Sequence, residues 1–400
     1  SADSNFICVG KSVNFRDTSA NNPTQWLWTF EGGTPSASTA KNPTVQYNSE
    51  GIYRVRLKAT NAFGSYTTEY KNYITVLSDL CAGIDTAPGK AIQVKATEDN
   101  TVPPLNIITN TITIAGWVKL NGAQAAYSAL YSMNGDSSKN CFTIISPNRL
   151  GYHWRGESGT WTYNTGPTMP YNEWCHIAMV ISPIQATFYV NGVGTSRAYN
   201  HKLSAFNTLG YIGSELGNNT RTMNTLIDEL TIYNKSLSQS EIRELMHLTK
   251  KNPNYPMHSS DSALIAYYQF NETPASGNRI FDKISKRSGN LDALTSRLKS
   301  TAPIGGGRYY RATINAITAI NQANIRTSMN FPGPVFPNGE LVISQINQAP
   351  DTLPSCSNYT SDNKYWIIDN YGTNSSFNAI SSWDFMNIHV PQGNYFTNIN

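Results

Sequence analysis

Residues 213–246 read GSELGNNTRTMNTLIDELTIYNKSLSQSEIRELM, and the rest of the chain is best read outward from them. Leu226 to Tyr233 alternate as a β-strand does. Leu226, Asp228, Leu230 and Ile232 are expected on one face, with Ile227, Glu229, Thr231 and Tyr233 on the other. Ser238 and Glu241 follow at the S-x-x-E spacing of a helix N-terminal capping box. Ile242, Leu245 and Met246 then give that short helix a single apolar stripe.

Composition agrees with a β-rich chain. Charged residues are only 14% of 400, while Ser, Thr, Asn, Gly and Tyr are plentiful. This is the profile of an extracellular all-β protein with a polar but uncharged surface, and the length predicts about two to four domains. A net charge of +4 is too weak to imply a nucleic-acid partner, and no basic helix or RNA-binding aromatic motif supports one. No run of about 18 apolar residues is present, so no transmembrane segment is expected. No secretory signal stands at Ser1, as expected of a mature or excised segment. The five cysteines are Cys8, Cys81, Cys141, Cys175 and Cys356, without a C-x-x-C pair. Cys141 and Cys175 fall in the same predicted domain and are the candidate disulfide. The other three are expected to be buried and unpaired.

In residues 1–78, Val13, Phe15, Trp26, Trp28 and Phe30 place large apolar groups on one face of two strands. Tyr53, Val55, Leu57 and Ala59 then alternate with Arg54, Arg56 and Lys58, a core face against a solvated one. Gly32-Gly33, Pro35 and Pro43 supply turns, so a small sandwich of immunoglobulin-like size is predicted. The segments Trp28-Thr29-Phe30-Glu31-Gly32-Gly33, Asn42-Pro43-Thr44-Val45-Gln46-Tyr47 and Gly51-Ile52-Tyr53-Arg54-Val55-Arg56-Leu57 resemble the PKD domain. In that family the first of these more often carries Gly-Asp-Gly. The resemblance implies a spacer or interaction module in a multidomain secreted protein, with the Glu-Gly-Gly variant pointing to Bacteroidota surface proteins.

Residues 79–290 carry further strands at Thr111 to Lys119, Cys141 to Ser146, Leu150 to Arg155, Trp174 to Ile181 and Thr187 to Gly192. TITIAGWVK, WCHIAMVI, TFYVNG and the IDELTIYNKSLSQSEI of the opening stretch resemble, in order, the motifs of a laminin-G-like (concanavalin A-like) jelly roll. Members of that family often begin with a strand that has no counterpart before Gly89. A similar segment, Leu264 to Glu272, follows the helix instead, and is expected to close the same sandwich from the other end. Residues 291–400 open on a linker containing Gly305-Gly306-Gly307. Strands at Tyr309 to Ile317, Glu340 to Ile346 and Tyr365 to Tyr371 predict a third β-sandwich, which the sequence does not mark as complete at Asn400. The predicted fold class is therefore all-β, with sandwiches in tandem.

Catalytic motifs are missing. Glycosidases on the jelly-roll fold carry paired carboxylates on one strand as E-x-D-x-x-E or E-x-D-x-E, and the chain has neither. Asp228 and Glu229 are adjacent, so plain alternation sends them to opposite faces. There is no H-E-x-x-H and no G-x-S-x-G, and the six histidines are isolated. No hydrolase activity is expected.

Binding is the remaining function. Tyr152, Trp154, Trp161 and Tyr163 cluster across two predicted strands, with His153, Arg155, Glu157 and Asn164 as polar neighbours. Such aromatics either stack on sugar rings, whose C–H faces are apolar, or fill the sandwich core. Asp228, if it faces the core, needs a partner. The laminin-G-like resemblance implies calcium held through acidic and carbonyl oxygens, with Asp99 or Glu98 as further donors. An arginine or a backbone N–H is the alternative. Asp85-Thr86-Ala87, Asp261-Ser262-Ala263 and Asp351-Thr352-Leu353 resemble Bacteroidota O-glycosylation acceptors at Thr86, Ser262 and Thr352. The expected function is extracellular binding or adhesion at a bacterial surface, toward a glycan or a host, matrix or surface protein. Export through the type IX machinery is implied by the resemblance. The alternative is an accessory region of a larger secreted hydrolase.

Overall fold

The computed structural model describes residues 1–3, 6–49, 51–77, 88–95, 99–134, 139–216, 218, 220–251, 258–322, 325, 327–348, 365–383, 388–389 and 395–396. Cys81, Thr86, Glu98, Thr352 and Cys356 lie outside them, as does the side chain of Cys8. Internal contacts divide the chain into two compact units, Ser1–Gly83 with Asn271–Ser288, and Ile84–Phe270 with Gly289–Asn400.

The first unit holds a β-sandwich. One sheet contains Gln25–Phe30, Gly51–Asn61 and Gly64–Leu77, and the other pairs Lys11–Asn14 with Thr44–Tyr47 and Gly33–Thr34. Between them pack Val13, Phe15, Trp28, Phe30, Val45, Tyr47, Val55, Ile74 and Val76. Arg54, Arg56 and Lys58 alternate outward into solvent, as the period-two pattern predicts. Gly32 turns the chain at φ +67°, where a side chain would also strike the Tyr53 ring.

The second unit opens with a jelly roll. Its strands are β1 (Lys90–Val94), β2 (Asn100–Val102), β3 (Ile112–Leu120), β4 (Ser128–Asn134), β5 (Lys139–Ile145) and β6 (Arg149–His153). A short helix α1 (Ser158–Trp161) leads to β7 (Trp174–Ser182), β8 (Gln185–Val190), β9 (Val193–Ala198), β10 (Gly210–Ile212) and β11 (Thr225–Tyr233). Then come α2 (Gln239–Leu245), β12 (Leu264–Tyr268) and β13 (Ser296–Lys299). The front sheet runs β6-β5-β4-β10-β2, and the back sheet β9-β8-β7-β3-β11-β1-β13. Phe142 and Tyr152 of the front sheet meet Phe188 of the back sheet, with ring centroids 6.0 and 5.4 Å apart. That contact marks the inter-sheet core.

Strand β11 departs from plain alternation. Opposite β3, Asp228 pairs with Trp117 and Thr231 with Ala115, so two residues of β11 face Gly116 alone, and Glu229 takes φ +51°. This is a β-bulge, and it shifts every later side chain by one face. Ile227 and Ile232 point into the core with Val118 and Ile114, whereas Asp228 shares the outer face with Trp117 and Tyr233. The bulge also divides one edge of β11. Residues 225–227 pair with β1 and residues 230–233 with β12. A strand at Lys90 was not anticipated from the sequence, and the late strand β12 joins the same sheet beside it.

Helix α2 starts in a complete capping box. Ser238 Oγ accepts the Glu241 N–H at 3.3 Å, and Glu241 accepts the Ser238 N–H at 2.8 Å. Beyond it, β14 (Gly307–Ile314), β15 (Thr318–Gln322), β16 (Thr327–Phe331), β17 (Gly339–Ile346), β18 (Tyr365–Asn370) and β19 (Ile380–Trp383) form two sheets, one built on β14-β17-β18 and one on β15-β16-β19. Ile314, Ile320, Met329, Phe331, Leu341, Ile343, Trp366 and Ile368 fill the space between them.

The outer face of the back sheet is covered. Trp117 packs on Ala302 and Ile304 and donates its indole N–H to the Met246 carbonyl at 2.8 Å. His247 spans from the Pro303 carbonyl (2.6 Å) to Asp369 of β18 (3.0 Å). Arg243 of α2 pairs with Glu340 at 2.8 Å and lies 3.7 Å over the Tyr371 ring. Leu248 joins Ile346, Tyr365 and Ile367 in one apolar cluster.

Candidate functional site

The outer face of the front sheet is built differently. In the β5–β6 pair, Cys141 stands opposite His153 and Phe142 opposite Tyr152. Because Phe142 and Tyr152 enter the core, Cys141, His153 and Lys139 face away from it. Ser132 of β4, opposite Cys141, lies on the same face. Its hydroxyl donates to the Ser214 carbonyl at 2.7 Å and accepts the Leu216 N–H at 2.8 Å. Those bonds pin the loop after β10 onto the sheet. Gly213 begins the loop at φ +83°, and a Cβ there would come within 2.8 Å of Val94.

The pinned loop delivers Glu215. Its fully buried carboxylate takes Lys139 Nζ at 3.1 Å, an Arg221 guanidinium N–H, and lies 3.4 Å from His153 Nδ1. Burial pushes this carboxyl up, but the His153, Arg221 and Lys139 contacts outweigh it and hold the pKa at about 2. Arg221 lies 5.2 Å over the Tyr127 ring, and Tyr127 and Trp161 stand 5.5 and 5.3 Å from His153, centroid to centroid. Trp161, at the end of α1, is 42% exposed, and the Lys139 and Arg221 side chains are 35% and 34% exposed. The result is a rigid, charged floor beside an open indole.

Of the aromatics singled out in the sequence, Tyr152, Trp154 and Tyr163 are core residues, at 0%, 1% and 2% exposure. The Tyr152 hydroxyl bonds His201 at 3.0 Å, the Trp154 indole N–H donates to the Lys202 carbonyl at 2.8 Å, and Tyr163 stacks on Phe188 at 4.9 Å. Their faces are closed to any ligand. Arg155 is half-buried and donates to the Leu203 carbonyl, while its N–H bonds Asn140 at 2.9 Å. It secures the turn into α1. Trp161 is the member that remains open.

Comparison with known proteins identifies the modules. Residues 1–74 match the PKD domain, and residues 93–243 match the concanavalin A-like lectin/glucanases superfamily. The chain carries a PKD domain followed by a concanavalin A-like domain. No curated protein sequence matches it. Among solved structures, it is similar to a Bacteroides ovatus protein provisionally described as carbohydrate-binding, with 12% identity over 76% of this chain and 98% of that one, and a TM-score of 0.40. Domain 4 of an extracellular arabinanase from Geobacillus stearothermophilus, solved with arabinotriose, aligns at 20% identity over 40% of this chain and 77% of that one, with a TM-score of 0.33. A Trypanosoma rangeli sialidase aligns at 8% identity over 48% of this chain and 42% of that one, with a TM-score of 0.26.

In the concanavalin A-like domain, the bulge corrects the reading of Asp228 and Glu229. Both are buried, at 0% and 3% exposure, and neither belongs to the inter-sheet core. Asp228 accepts the Glu229 N–H at 2.8 Å, the backbone partner that was one of its two alternatives. Burial and the neighbouring Glu229 charge push its carboxyl well above the usual range, against the opposing effect of Ser300. Glu229 accepts from the Tyr267 hydroxyl and from Gln269 at 3.1 Å, so it too is engaged within the protein.

The disulfide expectation is also corrected. Cys141 and Cys175 are both buried free thiols. Cys175 stands opposite Val118 on the core face of the back sheet, whereas Cys141 is on the outer face of the front sheet. They lie in different sheets with the core between them. Ser262 is exposed in the turn before β12, its hydroxyl donating to the Ser259 carbonyl at 3.1 Å.

Lys139, Glu215, Arg221 and Tyr127 were not singled out from the sequence. One signal was available: in Leu150-Gly151-Tyr152-His153, sending Tyr152 to the core by alternation turns His153 to the opposite face of the sheet. Nothing local marks Glu215, whose ion-pair partner Lys139 is 76 residues away.

Proposed function

We propose that the concanavalin A-like domain binds a glycan on the outer face of its front sheet, with Trp161 as the stacking platform. Arg221 and Lys139 supply donors to sugar hydroxyls or to an acidic sugar, and Tyr127 extends the apolar surface. The observation that carries this reading is the open Trp161 indole beside a preorganised, ion-paired floor, while Tyr152, Trp154 and Tyr163 are sealed in the core. Rigid aromatics flanked by fixed polar groups give affinity at low entropic cost. The low charge content and the PKD module support an extracellular setting, and we place the segment in an adhesive protein at a bacterial surface.

The test is binding to a panel of neutral and acidic oligosaccharides, followed by calorimetry on the best ligand. Trp161→Ala is expected to weaken binding at least about tenfold, and Arg221→Ala to weaken it less, with the fold intact by circular dichroism. Unchanged binding in Trp161→Ala would refute the assignment.

A further inference from the structure

We propose that Cys141, His153 and Glu215 form a binding site for a transition-metal ion, and that Zn²⁺ suits the ligand set best. The Cys141 thiol sulfur, a His153 ring nitrogen and a Glu215 carboxylate oxygen all lie within 4.8 Å of one another. Ligands at zinc distances stand roughly 3.3–3.6 Å apart on a tetrahedron, so closing by about an ångström completes the arrangement. Among the described residues this is the one such cluster of three.

A second observation points to a ligand. His153 is 5% exposed, yet neither ring nitrogen has a hydrogen-bond partner. Nδ1 lies 3.4 Å from Glu215 Oε1 without the alignment of a hydrogen bond. Leaving a buried imidazole without a hydrogen bond is costly, and metal coordination removes part of that cost. The scaffold is rigid: Cys141 and His153 are directly opposed on paired strands, and the Ser132 bonds fix the loop that carries Glu215.

The donor types select the ion. Thiolate, imidazole and a single carboxylate favour Zn²⁺ over the oxygen-seeking Ca²⁺ and Mg²⁺. Three protein ligands leave a fourth position for water. Lys139 and Arg221 neutralise Glu215 without metal. Both are about one-third exposed, at 35% and 34%, and can withdraw to solvent when a dication takes their place. Binding releases the Cys141 thiol proton to solvent, with no change of oxidation state. The site does not depend on the glycan reading.

The test adds Co²⁺, a spectroscopic substitute for Zn²⁺, to the full chain. One equivalent is expected to bind with a thiolate-to-cobalt charge-transfer band that Zn²⁺ abolishes by competition. Cys141→Ser should remove the band, and Cys175→Ser should retain it. His153→Gln and Glu215→Gln, which keep all five cysteines, should each weaken binding more than about tenfold. If Cys141→Ser does not fold, those two variants decide the matter alone. Absence of the band, its survival in Cys141→Ser, or a loss of less than about tenfold in both other variants would overturn the proposal.

Discussion

The two outer faces of the jelly roll have opposite fates. On the back sheet, Trp117, Asp228 and Tyr233 lie under α2 and the strands that follow it, and each is almost fully buried. Lys250, buried there between the Glu229 and Asp261 charges, donates to the Leu245 and Leu248 carbonyls, and burial draws its pKa down to about 8. On the front sheet, Glu215 is as deeply buried, but it is held by side chains that reach to solvent, and Trp161 is open above His153. Burial alone therefore does not mark a functional carboxylate. What separates the two faces is whether the groups around the carboxylate lead outward to water or inward to more protein.

The largest expected effect lies on the covered face. Trp117→Ala removes an indole packed on Ala302, Ile304 and His247 and should cost about 3–5 kcal/mol in urea denaturation. A loss below about 1 kcal/mol would mean that this face is not sealed. Next is acid. A carboxylate whose folded pKa is depressed stabilises the fold above its unfolded pKa and loses that contribution as the pH falls through the folded one. Glu215 shifts from 4.5 to about 2, so up to about 3 kcal/mol should disappear between those pH values. Glu215→Gln should flatten that part of the stability–pH curve, and an unchanged curve would refute the ion-paired floor.

A smaller loss, about 2 kcal/mol, is expected for Arg243→Ala, which breaks the Glu340 pair, the bond to the Gly192 carbonyl and the stacking on Tyr371 at the seam beneath the back sheet. Thermal unfolding of the variant measures it. Smallest is Trp161→Ala, expected to change stability by less than about 1 kcal/mol, because the indole is 42% exposed. A larger effect would make Trp161 a packing residue and move it to the other side of the comparison.

Much of the fold was legible because its signals are local. Runs of strand-forming residues and family-like motifs located β5 to β8, the Ser238–Glu241 spacing located the start of α2, and ordered motifs named both domains. The bulge was not legible. Glutamate is an unusual residue at φ +51°, and Gly116 on a distant strand stands opposite the bulge, where a Cβ would come within 3.3 Å of the Asp228 carbonyl oxygen. That single irregularity separates Asp228, on the outer face, from Ile232, on the core face, and both carboxyl groups are buried. Cys141 and Cys175 are the candidate pair because they share a predicted domain, yet register sends Cys175 to the core and Cys141 outward. The aromatic cluster was half legible, since alternation groups Tyr152 with Trp154 but does not say which face is core. Glu215 acquires its role only when a loop is pinned to a sheet assembled from far along the chain.

Hydrogen–deuterium exchange on the full chain, with and without the glycan selected from the panel, tests the central claim most directly. Protection is expected in β5, β6 and α1 and in residues 213–222, with β7 to β9 and β14 to β18 unchanged. Protection confined to β7–β9 or to residues beyond 307, with residues 139–161 and 213–222 unaffected, would contradict the assignment of the front sheet as the binding face.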